Sequence, residues 1–297
     1  MTGASCSTVL IFGVSGQDGH YLSQLCVREG YEVIGVSRSE SSVIGDVANR
    51  SFVETLIKKH LPAFIFHLAA RSSTRHDATF ENHATIATGT LNILESVYLF
   101  SPETRVFLAG SGLQFVNRGY PICENTSFGE SSSYAVMRNY SATLARYFRG
   151  LGILVYFGYL FHHESPRRKL GHLSKIIADG ARRAMQGERI SIEIGDLSVE
   201  KEWTFAGDTV SAIWLFVNQR TIFEINIGSG IAYSVADWAN ACFLAVGKDW
   251  REFVVQSQMP FRPEYQRLIC DPSRIKSLGW SPKVALEKLS EMMVCDQ

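Results

Sequence analysis

Residues 9–19 read Val9, Leu10, Ile11, Phe12, Gly13, Val14, Ser15, Gly16, Gln17, Asp18, Gly19. An apolar run of strand character ends in three glycines, and apolar residues at helical spacing (Tyr21, Leu22, Leu25, Cys26) follow at once. Glycines spaced this way let the chain turn tightly, bring backbone N–H groups close to a pyrophosphate and aim the next helix's N-terminal dipole at negative charge. Any surface turn can hold three glycines. Their place between a first strand and a helix is what marks a dinucleotide turn, with Gly13, Ser15, Gly16, Gln17, Asp18 and Gly19 as its contacts.

Working outward, short β-branched runs at 9–12, 32–36, 63–68, 105–109 and 153–159 alternate with helical patterns, which predicts βαβ units and a parallel sheet. The fold class is α/β: a Rossmann-type doubly wound parallel sheet with a smaller α/β substrate-binding lobe. The rhythm changes after His162, where Ser165, Pro166, Arg167, Arg168 and Lys169 lead to a helix near 172–186 and a short strand near 190–194. A strand at 223–227 and the run Leu278, Gly279, Trp280, Ser281, Pro282 suggest that the chain crosses between lobes more than once. The expected division is 1–162 plus about 205–233 for the dinucleotide domain, and about 163–204 with 234–297 for the second lobe.

With 297 residues and 46% hydrophobic content the chain can bury two cores. Lys plus Arg and Asp plus Glu each number 29, so no global field draws it to nucleic acid or an acidic membrane. The six cysteines (Cys6, Cys26, Cys123, Cys242, Cys270, Cys295) form no CxxC pair, which argues against zinc and against a disulfide framework. With no leader pattern and no membrane-length apolar stretch, the expectation is a soluble cytoplasmic protein. His162 and His163 have no third ligand at metal spacing and are expected to be structural, so no metal site is expected. Trp203 and Trp214 read as core.

The second strand ends Val36, Ser37, Arg38, Ser39, with no acid at its tip to accept from a ribose 2′-hydroxyl. Arg38 with its flanking hydroxyls fits a 2′-phosphate, which favours NADP(H). The alternative is a solvated Arg38 paired with Glu40. Asp46, beside Val47, would then sit near the adenine. After the fifth strand come Ala109, Gly110 and Ser111, and Tyr134 is followed four residues on by Arg138, on one face of a helix.

These features resemble the extended short-chain dehydrogenases/reductases, whose shared site is a Ser or Thr after the fifth strand plus Tyr-x-x-x-Lys. Within them the chain is similar to the GDP-mannose 4,6-dehydratases. The matching stretches are Gly16-Gln17-Asp18-Gly19, the run from His67 through Leu68, Ala69, Ala70 and Arg71 to Ser72, His163-Glu164-Ser165-Pro166-Arg167-Arg168, and Asp271-Pro272 with Leu278-Gly279-Trp280. The resemblance implies that Leu68, Ala69 and Ala70 join the cofactor site, and that Tyr134 and Arg138 touch the cofactor as well as act in catalysis. It implies that Tyr134 exchanges a sugar-hydroxyl proton at carbon 4 while Ser111 steadies the oxyanion and a nearby cation favours the phenolate. It places the nucleotide sugar on Ser72, Ser111, Gly112, Glu164, Arg167, Arg168, Lys175, Lys201, Arg262 and Glu264. It also implies a homodimer built on two long helices per subunit, here near 85–100 and 134–149.

Two departures stand out. The dehydratases carry an acid just after the Ser/Thr, whereas this window reads Ser111, Gly112, Leu113, Gln114, and neither Leu113 nor Gln114 can act as a base. Arg138 replaces the lysine, with differently directed donors and more bulk. The implied activity is therefore an NADP(H)-dependent oxidoreductase at carbon 4 of a nucleotide-activated sugar, expected to be GDP-linked, most simply a 4-keto-sugar reductase. The alternatives are a 4,6-dehydratase with a relocated base and a catalytically silent nucleotide-sugar-binding protein.

Overall fold

The computed structural model describes residues 7–295; Cys6 lies outside the described residues. Val9, Leu10 and Ile11 are wholly buried, as a strand covered on both faces requires. This strand, β1 (Thr8–Phe12), lies inside a seven-stranded sheet with β2 (Glu32–Ser37), β3 (Val43–Ile44), β4 (Phe64–His67), β5 (Arg105–Ser111), β6 (Val155–Leu160) and β7 (Glu224–Ile227). The spatial order is β3-β2-β1-β4-β5-β6-β7 and every pairing is parallel. The chain winds from β1 out to β3, then restarts at β4 on the other side of β1. The winding therefore reverses between β1 and β4, the place where doubly wound sheets open a crevice at their carboxyl ends.

The helices include α1 (Gln17–Arg28), α2 (Arg50–His60), α3 (Thr79–Asn82), α4 (Gly89–Phe100), α5 (Ser133–Gly150), α6 (Leu173–Met185), α7 (Ala206–Val217) and α8 (Val235–Leu244). Asn49 caps α2 by accepting from the Phe52 N–H, and Ser132 caps α5 through the Ala135 N–H. The helix expected from residue 85 instead starts at α3 and passes through a π-helical turn, His83–Thr88, before α4. Such a turn is invisible to a 3.6-residue periodicity. Among the described residues no helix is long and apolar enough to cross a membrane.

The contacts divide the chain into two compact units. The first holds the sheet and comprises the residues up to Val116, Glu124–Leu160 and Val210–Ile227. The second comprises Asn117–Cys123, Phe161–Thr209 and the chain from Gly228 onward. Residues 117–123, expected in the first lobe, belong to the second: Ile122 bridges Cys270, and Asn117 donates to the Arg267 carbonyl at 2.7 Å. The second unit contains a three-stranded sheet in the order Ala232–Ser234, Glu200–Glu202, Arg267–Leu268. Its core gathers apolar faces of α6, α8 and the helix Leu286–Cys295, with Trp203 and Trp238 stacked 4.6 Å apart.

The glycine turn is held by contacts that exclude side chains. Gly13 has φ +93°, and a Cβ built on it would lie 2.7 Å from the Ala69 nitrogen. A Cβ on Gly19 would lie 2.4 Å from the Gly13 carbonyl oxygen and 2.6 Å from the Val14 Cα. Backbone therefore touches backbone where β1, α1 and the segment after β4 meet. Gly19→Ala is expected to lose roughly 2 kcal/mol or more of stability, since the clashing atoms are main chain and cannot rotate away. Chemical denaturation would measure the loss, and an unchanged midpoint would refute the assigned contact.

Candidate active site

The first unit carries the glycine turn. Gly16 occupies the N-cap of α1 with extended backbone and no side chain to cap the helix, so the helix end is presented by main chain alone. Ser15 is exposed at the turn, Gln17 and Asp18 form the first helical turn, and Gly19 is buried against Gly13. The Leu68 N–H donates to the Phe12 carbonyl at 2.9 Å, which aligns Leu68, Ala69 and Ala70, all half-buried, beside the turn. Val47 is buried against Gly89, and its carbonyl accepts from the Asn92 amide, so it forms a wall. Asp46 is exposed and folds onto the Ala48 N–H at 2.9 Å. Ser72 lies exposed after β4.

Arg38 is not paired with Glu40. Its guanidinium donates to Glu81 Oε1 at 2.7 Å, and Glu81 Oε2 accepts from Arg71 at 3.0 Å. Of the hydroxyls beside Arg38, that of Ser37 accepts from the Glu40 N–H at 3.1 Å and so holds the turn. Nothing local in the sequence pointed to Glu81 or Arg71, which lie 43 and 33 residues from Arg38.

The catalytic candidates lie at the ends of β5 and α5. Ser111 is nearly buried, and its hydroxyl accepts from the Leu113 N–H at 3.2 Å, which leaves its own proton to donate. Gly112, also buried, begins a short 3₁₀ turn. Gln114 is fully buried and structural: its side-chain oxygen accepts from the Ser111 N–H at 2.7 Å and its amide reaches Asn139 on α5 at 3.3 Å. Tyr134 sits in the first turn of α5, and the Arg138 guanidinium carbon lies 5.2 Å from its ring centre. Arg138 is buried, donates through one terminal nitrogen to the Ala109 carbonyl of β5, and keeps its Nε without a hydrogen-bond partner. Burial, with help from the Arg138 charge, pushes the neighbouring His67 imidazole down to about 3. His67 is therefore neutral, with Nε2–H donating to the Thr85 carbonyl at 3.1 Å.

The second unit holds a buried charged cluster. Glu164 accepts from Arg168 Nε at 2.6 Å, and Arg168 also donates to the His163 carbonyl. Burial opposes ionisation of Glu164, but Arg168 and His162 together outweigh it and hold the carboxyl below its usual range. His162 Nε2 lies 2.9 Å from Glu164 Oε1 without hydrogen-bond alignment; burial first and Lys201 second push this imidazole down to about 3. Lys201, on the central strand of the three-stranded sheet, is 7% exposed and stands 4.5 Å over the Trp203 ring. Burial pushes its ammonium down to about 8. Lys175 is buried near the Pro166 carbonyl, whereas Arg167, Arg262 and Glu264 are exposed. Trp203 is core, and Trp214 packs on Phe64 and Tyr31. No three His, Cys, Asp or Glu side chains cluster as metal ligands among the described residues.

Glu164 is already matched by Arg168, so Lys201 is a buried cation in surplus. Between pH 8 and 10.5 the unfolded chain holds more protons than the folded one, so stability rises with pH through that window; below it the full cost remains, on the order of 3 kcal/mol. Lys201→Met is expected to raise the melting temperature at pH 7 by several degrees and to weaken binding of inorganic diphosphate. A lowered melting temperature with unchanged diphosphate binding would contradict both halves.

Residues 10–293 match the family GDP-mannose 4,6 dehydratase. GDP-mannose 4,6 dehydratase 2 of Arabidopsis thaliana is 30% identical over 317 residues, covering 96% of this chain and 85% of the relative. GDP-mannose 4,6-dehydratase of Vibrio cholerae is 28% identical, covering 97% and 92%. The fold superposes on UDP-glucose 4-epimerase of Thermotoga maritima, solved with UDP-glucose, with TM-score 0.85, 21% identity and 97% of each chain covered. The chain belongs to the GDP-mannose 4,6 dehydratase family, an enzyme family within the extended short-chain dehydrogenases/reductases.

Proposed function

We propose that this protein is an NADP(H)-dependent oxidoreductase acting at carbon 4 of a nucleotide-activated sugar, GDP-linked by analogy with its relatives, and that it reduces a 4-keto group. The observation that carries the reading is the window after Ser111. Leu113 stands where a dehydratase needs its acid, and Gln114 is committed to bonds with Ser111 and Asn139. Ser111 and Tyr134, which reduction requires, are present, with Arg138 in place of the lysine.

The residues of the first unit fit a dinucleotide. At Gly13 and Gly19 a Cβ would strike main chain, the end of α1 is presented by Gly16, and the buried Arg138 Nε lacks an acceptor. The nicotinamide supplies the hydride when bound. Tyr134 donates its phenolic proton to the sugar O4 as the C4–H bond forms and the carbonyl π bond breaks, while Ser111 donates a hydrogen bond to the same oxygen. Arg138 stabilises the phenolate left on Tyr134, which solvent then reprotonates. In the second unit Arg167, Lys175, Lys201 and Arg262 supply positive charge for the diphosphate, with Arg168 oriented by Glu164. A dehydratase with a relocated base is the second reading, and it rests on the family match itself.

The test presents purified protein with NADPH and a GDP-4-keto-6-deoxy sugar, and separately with GDP-mannose. NADPH should be consumed only with the keto sugar, and Tyr134→Phe should slow this at least ~100-fold while sparing sugar-nucleotide binding. Formation of a 4-keto-6-deoxy product from GDP-mannose would establish the dehydratase instead. No turnover with intact binding would identify a binding protein.

We also propose a homodimer. Leu91, Tyr98 and Leu99 on α4 and Val136, Tyr140 and Tyr147 on α5 are exposed apolar side chains of the first unit. Sedimentation velocity at micromolar concentration should give twice the chain mass, with Tyr140→Glu/Tyr147→Glu giving the chain mass. A monomeric native protein would end this proposal.

A further inference from the structure

Within the first unit, three charged side chains meet across the carboxyl end of β1. Arg38 directly follows β2 and Arg71 lies four residues past β4, and these two strands flank β1 on opposite sides. Adjacent strands stand ~4.8 Å apart, so the two tips are separated by roughly 10 Å, with the glycine turn of β1 between them. Glu81 spans this gap, one carboxylate oxygen 2.7 Å from Arg38 and the other 3.0 Å from Arg71.

The position of Glu81 is set by its neighbours. Asn82 is fully buried and donates to the Ser73 carbonyl at 3.0 Å, and Thr79 donates to the Ser133 hydroxyl at 2.9 Å. These bonds fix α3 against the segment after β4 and against the start of α5. The arginines are the more exposed members, with side chains 61% and 48% exposed. Two guanidiniums facing one carboxylate leave a net charge of +1. A phosphate monoester carries close to two negative charges and three acceptor oxygens, and satisfies two forked cations more fully than one carboxylate does.

We propose that Glu81 is a built-in stand-in for the 2′-phosphate of NADP(H), and that Arg71 is a second phosphate ligand beside Arg38. In the free protein Glu81 holds both arginines over the turn. When the cofactor binds, its 2′-phosphate displaces the carboxylate from them. Glu81 thus sets the discrimination between phosphorylated and unphosphorylated cofactor: it weakens NADPH binding through competition and leaves NADH, which has no phosphate to exchange for it, largely unaffected. This inference rests on the NADP(H) reading given above.

Dissociation constants for NADPH, NADH and adenosine 2′,5′-bisphosphate, measured by titration calorimetry on the native protein and on Arg38→Met, Arg71→Met and Glu81→Gln, test it. Arg71→Met should lose ~10-fold affinity for NADPH and for the bisphosphate, the size of one charge-assisted hydrogen bond, with a smaller change for NADH. Glu81→Gln should gain several-fold for both phosphorylated ligands, and more at low salt, where exposed charges interact most strongly. Native preference for NADH, or an unchanged preference in Arg38→Met, would overturn the NADP(H) reading and this inference with it. A loss in Arg38→Met with no change in Arg71→Met, or weaker NADPH binding in Glu81→Gln, would overturn the stand-in alone.

Discussion

Everything near the candidate site depends on main chain meeting main chain at one crossing. Gly13 lies against the Ala69 nitrogen, and Gly19 against the Gly13 carbonyl and Val14. A methyl group at either glycine would push β1, α1 and the segment after β4 apart. The contact therefore fixes three things together: where the α1 dipole points, how near the N–H groups of the turn approach a ligand, and where the chain emerges from β4. The last of these places Arg71 and, through Asn82 and Ser73, the short helix carrying Glu81.

Arg138 shows how a conservative-looking exchange changes a site's internal wiring. A lysine ammonium is a compact charge at the end of a flexible stem, whereas a guanidinium brings five donors in a fixed plane. Here one donor is spent on the Ala109 carbonyl, which ties α5 to β5 two residues before Ser111. The plane approaches the Tyr134 ring, and the buried Nε is left unsatisfied. An unmet buried donor costs about 1–3 kcal/mol, so its retention at this point is more readily understood as a demand of the site than of the fold. The same charge helps to keep His67 neutral, so the buried ring next to it adds no second positive charge.

The sheet was legible because its strands are buried on both faces and carry unbroken apolar runs: 9–12, 32–36 and 105–109 all fall within observed strands. The glycine turn and the Tyr134/Arg138 spacing were legible for a related reason, since each is a local pattern with one structural solution. What escaped the reading was long-range or aperiodic. The π-helical turn His83–Thr88 breaks the helical period, and residues 117–123 join the second unit through pairings with residues more than a hundred positions away. Gln114 reads as a failed base, and only its two hydrogen bonds show that it is a clamp. Glu81 carries no local signal at all, because its meaning comes from two arginines delivered by different strands.

The two ionic clusters share a stoichiometry. Arg38 and Arg71 bond Glu81 in the first unit; in the second Arg168 bonds Glu164 and Lys201 stands over Trp203, with His162 near Glu164 held neutral. Glu81 bridges two cations, whereas Glu164 bonds Arg168 and not Lys201; each cluster leaves one positive charge over. The chain as a whole has equal numbers of acidic and basic residues, so these surpluses are local and are compensated elsewhere. Stability alone would favour matching each cation, most of all the buried Lys201. On the proposed function, anionic groups arrive at separate points, which is a reason to keep each surplus in place, with Glu81 aiming its two arginines until the anion arrives.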